Sequence, residues 1–311
     1  MRVVVTGGAG FIGANLCARL ARDPAITEVV ALDDLSTGSR QNLDSGGAKL
    51  VEASIGDAST LDEIFADIDA VVHLAARPSV PRSLADPVRS HVVNASGTLE
   101  VLEAARRAGN VHVIVASSSS VYGANPTLPK TESLATLPLS PYAASKLAAE
   151  AYALAYQSSF GLPTLAFRFF NVFGPLQPAG HAYAAVIPAF IDAALDGRPL
   201  PVHGDGKQSR DFTFVGTVNE VLADAVRRRV THDEPVNLAF GTRTDLLEVI
   251  DLLSEVIGRR LDVENVDPRV GDVRHSQADN SLLAELFPDI EPVALREGLA
   301  QTVDWFRGVR R

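Results

Sequence analysis

The stretch TGGAGFIG, residues 6–13, decides how the rest of the chain is read. It follows RVVVT, a β-branched run, and opens into FIGANLCARLA, where apolar residues recur at helical spacing. Gly7, Gly10 and Gly13 form the pattern G-x-x-G-x-x-G at this strand-to-helix turn. In such a turn the glycines make the tight bend, let a pyrophosphate approach the backbone, and let the helix pack close to the sheet. A glycine-rich turn alone is a weak signal. Here the next strand, EVVALD, ends in Asp33, an acid placed to accept from an adenosine ribose 2′-hydroxyl and to repel a 2′-phosphate. Turn and acid together read as a dinucleotide site that takes NAD rather than NADP.

Outward from that turn, β-branched runs alternate with helical patterns. EVVALD, AKLVEA, DAVVHLA and VHVIVASS read as strands, and a long helix is expected from about Pro87 to Ala108. A second long helix should run from Pro141 to about Phe160, ahead of the strand TLAFRFF. The alternation predicts an α/β fold, a Rossmann-like doubly wound parallel sheet with helices on both faces. After Asn171 prolines at 175, 178, 188, 199 and 201 punctuate shorter elements. The expected division is therefore residues 1–171 as the NAD-binding part and 172–311 as a smaller C-terminal substrate-binding lobe, with a strand near 235–240 returning to the first sheet.

With 311 residues, 46% of them hydrophobic, the chain can bury a sizeable core. No apolar run reaches the roughly 18 residues of a membrane span, and the first strand begins at Arg2 with no leader pattern before it. The expectation is a cytoplasmic protein with no membrane partner. A net charge of −10 opposes general nucleic-acid binding. The RRR run at 227–229 reads as a helix C-terminus, where cations complement the dipole. The single cysteine, Cys17, falls on an apolar helix face, so it is read as packing, and neither a disulfide nor a metal site is expected.

Lysine is scarce: four, against twenty-four arginines. One of them sits in YAASK, where Tyr142 and Lys146 lie four apart and so share a helix face. Such a pair alone is most often two neighbours on a solvated helix. Three further features sit where strand ends should meet the cofactor: HLAA at 73–76, Asn94 in VVNASGT, and the serines at 117–120. The serine run closes a strand, so its hydroxyls should open into the crevice at the carboxyl edge of the sheet.

These motifs, together with RFFNVFGP, GDGKQSRDFTFV and GDVRHSQAD, follow the order and spacing of the extended short-chain dehydrogenase/reductase family. Within it the chain resembles the NAD-dependent sugar-nucleotide epimerases and dehydratases. The resemblance implies a catalytic set of Ser118, Tyr142 and Lys146. Its chemistry is coherent: a free phenol titrates near 10, and a fixed ammonium favours phenolate. Lysine also offers the nicotinamide ribose a compact donor that a planar guanidinium does not.

The resemblance further implies NAD contacts from Gly7, Gly10, Phe11, Ile12 and Gly13, and from Asp33, Asp34, Ser36, Thr37 and Gly38. It adds Ser54, Ile55, Leu74, Ala75, Ala76, Asn94, Ala116 and Phe169, besides Tyr142 and Lys146. For the substrate it implies a UDP-sugar. Asn171, Arg210 and Arg269 would hold the nucleotide and its phosphates, joined by Arg274, since charged donors suit phosphate oxygens. Asp272 matches a ribose-binding acid and His203 a position beside the uracil. Pro78, Ser119, Ser120, Ala185, Val186, Val202, Gln208 and Ser276 complete the implied substrate contacts, with Ser118 and Tyr142. One departure stands out: the chain reads ASI at 53–55 where relatives often read GDI. Ser54 thus replaces an aspartate that accepts from the adenine amino group, and compensation by Asp57 is left open.

Fold and catalytic set serve epimerisation, dehydration and decarboxylation alike. Dehydratases resembling this chain carry Asp-Glu before Val-Tyr-Gly, and decarboxylases a glutamate; here Ser119 and Ser120 stand there. Without a carboxylic acid, C5 deprotonation and loss of water have no evident catalyst. The resemblance therefore implies 4-epimerisation of UDP-hexoses through a 4-keto sugar. The resemblance places Ser276 and Ala185 where some relatives carry tyrosine and asparagine, which implies room for an N-acetyl group. Two alternatives stay open. UDP-glucuronate 4-epimerases also carry SSSSVYG, and Ser119, Ser120 or Arg82 could meet a carboxylate, although Asn171 stands where they often have threonine. A non-catalytic NAD-sensing protein could share the fold. The helices at 87–108 and 141–160 resemble a pair that forms a four-helix interface, which implies a homodimer.

Overall fold

The β-branched runs become one sheet of seven parallel strands. These are β1 (Arg2–Thr6), β2 (Glu28–Asp33), β3 (Lys49–Glu52), β4 (Ala70–His73), β5 (His112–Ser118), β6 (Thr164–Phe169) and a seventh, Val236–Leu238. The computed structural model describes residues 1–44, 46–179, 184–267 and 274–310. Across the sheet the order is Val236–Leu238, β6, β5, β4, β1, β2, β3. The chain thus moves one way from β1 and, after β3, resumes on its other side at β4. Strand order reverses between β1 and β4, and in such sheets ligands bind outside the carboxyl ends at that point. Those ends carry Gly7 after β1, Asp33 on β2, Leu74 after β4, Ser118 on β5 and Phe169 on β6.

Helices cover both faces, which is why β1, β4 and β6 read as continuous apolar runs and are almost wholly buried. On one face the helix α1 (Phe11–Leu20) packs Leu16, Cys17 and Leu20 beside Val218, Leu222 and Val226 of the Val215–Arg228 helix. On the other, Leu61, Phe65, Val101, Leu102, Ala149 and Ala153 form a second core. The sheet is therefore doubly wound, and Cys17 is buried packing. Val236–Leu238 pairs in parallel with β6.

The Pro141–Phe160 helix has clear reasons for its ends. The Ser140 hydroxyl accepts from the Ala143 amide, Pro141 occupies the first turn, and Gly161 closes it in the left-handed region at φ 67°. The helix expected over 87–108 is interrupted. It runs Pro87–His91, widens into a π-helical turn over Val92–Ser96, and resumes as Gly97–Arg107. Arg227 and Arg228 end their helix paired with Asp224, and Arg229 takes the left-handed turn after it.

A third core of Phe173, Phe190, Phe212, Phe214, Val249, Leu253 and Phe306 supports the remaining short strand pairs. Asn171–Phe173 runs parallel with Phe212–Phe214, Ser209–Arg210 antiparallel with Thr244–Asp245, and Leu200–His203 parallel with Val263–Val266. No helix among the described residues is long and apolar enough to cross a membrane.

Candidate active site

Ser118, Tyr142 and Lys146 come together at the end of β5. The Tyr142 side chain lies beside Ser118, near enough for the serine to favour its phenolate, and the Ser118 oxygen accepts from the Ser120 hydroxyl at 2.9 Å and the Ser120 amide at 3.2 Å. Lys146 donates from Nζ to the Ala116 carbonyl at 2.6 Å and is 6% exposed. Removal from water raises the Tyr142 pKa, opposed by Ser118. The same desolvation pulls Lys146 down to about 8, so the amine still holds its proton at neutral pH. Burial thus works against the phenolate, and in this structure Ser118 is what opposes it.

The dinucleotide crevice is built for an anion. No side chain caps the Gly10 end of α1, which leaves the first-turn amides at the positive end of the helix. Gly7 sits at φ +68°, and a Cβ there would lie 2.8 Å from the Ala75 amide. Asp33 accepts from the Ala9 amide through Oδ2 and from the Leu35 amide through Oδ1, each at 2.9 Å, which fixes the carboxylate while leaving lone pairs for a ribose hydroxyl. Burial, followed in effect by Asp34, nevertheless raises its pKa. Gly7, Asp33, Asp34, Ser36, Thr37, Ser54, Ile55, Ala75 and Ala76 line one cavity between the ends of β1, β2 and β4. A glycine cradle, open amides and a fixed acid fit NAD.

Asp57 accepts from the Ser59 and Thr60 amides and hydroxyls as the cap of the Ala58–Phe65 helix. Ser54 itself accepts from the Gly56 amide at 3.1 Å. Asn94 lies in the π-helical turn, 1% exposed. Its Oδ1 accepts from the Arg77 amide at 2.7 Å and its Nδ2 donates to Ser145 at 2.9 Å, which ties the loop after β4 to the two long helical segments.

A second cavity opens in the lobe, lined by Asn171, Ala185, Val186, His203, Gln208 and Arg210 among others. Arg210 donates to the Ser209 carbonyl at 2.9 Å and Gln208 to the His203 carbonyl at 2.7 Å. Val202, expected here, is instead 1% exposed within the lobe core. Arg274 turns to Asp205 at 2.8 Å, an exposed pair outside this lining, and Ser276 is held through its backbone to Ser209. Arg269 and Asp272 lie outside the described residues.

Sequence reasoning missed the apolar wall of the cofactor cavity, Leu32, Val92 and Val93, and the glycines Gly56 and Gly97. Gly97 carried a signal, an isolated glycine inside a helical pattern; a Cβ there would meet Ile55 at 2.6 Å. His73, singled out in the sequence only as the first residue of HLAA, is held between the Thr6 and Thr98 hydroxyls at 2.7 and 2.9 Å and pushed down by burial to about 3, hence neutral.

Residues 3–239 match the NAD dependent epimerase/dehydratase family. A UDP-glucose 4-epimerase of Mycolicibacterium smegmatis is 38% identical over 99% of both chains. A probable UDP-glucuronate 4-epimerase of Rhizobium meliloti is 32% identical over 98% of this chain and 97% of its own. Among solved structures, a UDP-N-acetylglucosamine 4-epimerase from Methanobrevibacter ruminantium, in complex with UDP-N-acetylmuramic acid, superimposes with a TM-score of 0.92. It is 38% identical over 99% of this chain and 98% of that one. The chain belongs to the NAD-dependent epimerase/dehydratase family.

Proposed function

We propose that this member of the NAD-dependent epimerase/dehydratase family is a UDP-sugar 4-epimerase, acting on UDP-hexoses of the glucose and galactose type and on their N-acetylated forms. The observation that carries the reading is the pairing of a complete Ser118–Tyr142–Lys146 set with Ser119 and Ser120 in the same turn. Hydroxyls there can bind a sugar oxygen but cannot take the C5 proton of a dehydration.

When bound, NAD supplies the hydride acceptor and donor at C4 and a positive field beside the phenol. Tyr142 takes the 4-hydroxyl proton and later returns it to the same oxygen. Ser118 holds that oxygen beside Tyr142. Lys146, with one N–H occupied by Ala116, keeps two donors and a positive charge for the phenolate and the ribose. Asn171, His203, Gln208 and Arg210 bind the UDP moiety while the 4-keto sugar turns over, together with Arg269 and Asp272 as the sequence implies. The small side chain of Ala185 in that cavity supports room for an N-acetyl group.

A second reading, UDP-glucuronate 4-epimerase, is favoured by the same serines, whose hydroxyls suit a C6 carboxylate. Incubating the purified protein in turn with UDP-glucose, UDP-N-acetylglucosamine and UDP-glucuronate, then resolving the products by chromatography, decides between them. No C4 epimer from any of the three refutes the function.

The enzyme is also proposed to be a homodimer. Leu84, Val88 and Val92 are 64%, 73% and 54% exposed on the segment that packs against the Pro141–Phe160 helix, which itself exposes Tyr152 and Phe160. Apolar exposure of that kind suits a helical interface with a second copy. Sedimentation analysis at micromolar concentration tests it, and a monomer refutes it.

A further inference from the structure

Tyr142, Lys146 and Glu150 are spaced i, i+4, i+8 and form one stripe on the Pro141–Phe160 helix. Each reaches the end of β5. Tyr142 lies beside Ser118, Lys146 bonds the Ala116 carbonyl, and Glu150 Oε2 accepts from the Ser117 hydroxyl at 2.7 Å. The third rung is also a buried ion pair: Arg168 of β6 donates from Nη2 to Glu150 Oε1 at 2.7 Å and from Nε to Oε2 at 3.0 Å. Arg168 lies opposite Ser117 in the β5–β6 register. Both charged side chains are 4% exposed.

Arg168 extends the grip to the turn that carries the serines. Its guanidinium carbon lies 4.7 Å from the centroid of the Tyr122 ring, and the Tyr122 hydroxyl donates to Asn237 Oδ1 at 2.6 Å. A third Arg168 nitrogen donates to the Glu132 carbonyl. The pair therefore touches the catalytic helix, the strand end and the Ser119–Tyr122 turn, yet lines neither ligand cavity.

We propose that Glu150 is a positioning residue: through Ser117 and Arg168 it locks the helix bearing Tyr142 and Lys146 in register with the strand end bearing Ser118. The inference rests on the epimerase reading. A buried ion pair is a poor device for stability alone, because well-packed apolar residues in its place are commonly neutral or stabilising. What apolar residues cannot do is fix a helix along its axis against a particular hydroxyl. Small misplacements of reacting groups, on the order of 1 Å, lower rates by about a hundredfold.

The decisive variant is the doubly apolar Glu150→Leu/Arg168→Met, which leaves no unpaired charge. It is expected to keep a melting temperature at or above that of the wild type, and UDP affinity and KM within about threefold, while kcat falls at least about tenfold. A folded double variant with wild-type kcat overturns the proposal, as does a kcat loss matched by an equal loss of UDP affinity. Should that variant not fold, Ser117→Ala decides. It leaves the ion pair whole and cuts its tie to β5, so a lowered kcat with unchanged KM supports the lock and an unchanged kcat overturns it. A wild-type protein that epimerises no UDP-sugar takes this inference down together with the functional reading, whereas a fully active double variant overturns this inference alone.

Discussion

Gly13→Ala tests the cofactor site through a single methyl group. A Cβ at this position would stand 2.1 Å from the Gly7 carbonyl oxygen and 2.8 Å from the Gly8 Cα, where ordinary contact begins at 3.4 Å. Both neighbours are backbone, so no side chain can swing away. The N-terminus of α1 must withdraw from the turn by about 1.3 Å to restore contact distance. That movement carries the first-turn amides with it. A hydrogen bond to a charged group is worth about 1.5 to 3 kcal/mol, so losing one of those made to the pyrophosphate weakens NAD binding on the order of 10- to 100-fold. The overpacking itself lowers stability by about 1 to 3 kcal/mol. Titration calorimetry of NAD onto protein stripped of nucleotide reads the first effect, and chemical denaturation the second. Gly308→Ala is the control, since nothing lies within 4 Å of its added Cβ; it should bind NAD as the wild type does and gain up to about 1 kcal/mol of helix stability. Wild-type NAD affinity in a folded Gly13→Ala protein would refute the assignment of this turn to the pyrophosphate.

Tyr142→Phe should lower turnover by at least about a hundredfold and leave UDP binding intact, as expected for loss of a positioned base; more than about a tenth of wild-type activity would rule Tyr142 out. The protein as purified should carry NAD or its reduced form, because Asp33 is fixed by the Ala9 and Leu35 amides where a 2′-phosphate would lie. NADP in the released nucleotide, read by mass spectrometry, would sink that assignment. Buried His73, at about 3 in the folded protein against a usual 6.5, refuses a proton that the unfolded chain accepts. Its contribution to stability is therefore complete above pH 6.5 and falls away between 6.5 and 3, by about 1.4 kcal/mol per pH unit. Unfolding free energies measured from pH 7 to 5 should fall less steeply in His73→Gln, and equal slopes would show that His73 is not the group responsible.

The parallel sheet and both long helices were legible because their signals are local. β-branched runs with short glycine-marked turns specify β1 to β6, and Ser140, Pro141 and Gly161 mark the ends of one helix within the sequence itself. The π-helical turn was not legible, since the contacts made from it are remote: Asn94 reaches back seventeen positions to the Arg77 backbone and across to Ser145. Asp57 was visible as an acid, and the two hydroxyl residues that follow Ala58 give it a role as the start of a helix. Val202 failed by parity, since alternate residues of the Leu200–His203 strand face opposite ways and only Pro201 and His203 face the cavity.

Lysine at 146, alone among so many arginines, follows from the room available to it. At 6% exposure the ammonium is squeezed between β5 and the helix, close enough to the Ala116 carbonyl for a 2.6 Å bond. A guanidinium is broader, and its fixed plane of five donors would leave several unmatched there, at a cost of about 1 to 3 kcal/mol for each buried group without a partner. The contrast is Arg168, buried to the same degree but facing a carboxylate, the Glu132 turn carbonyl and an aromatic face that together use its plane. Desolvation lowers the Lys146 pKa to about 8, so its charge is retained at neutral pH, and an arginine in the same place would be further still from titration. The two cations thus divide the labour of the site according to their chemistry. Arg168 ties strand, helix and turn together behind the serines, and Lys146 brings a compact charge to the strand end that carries Ser118.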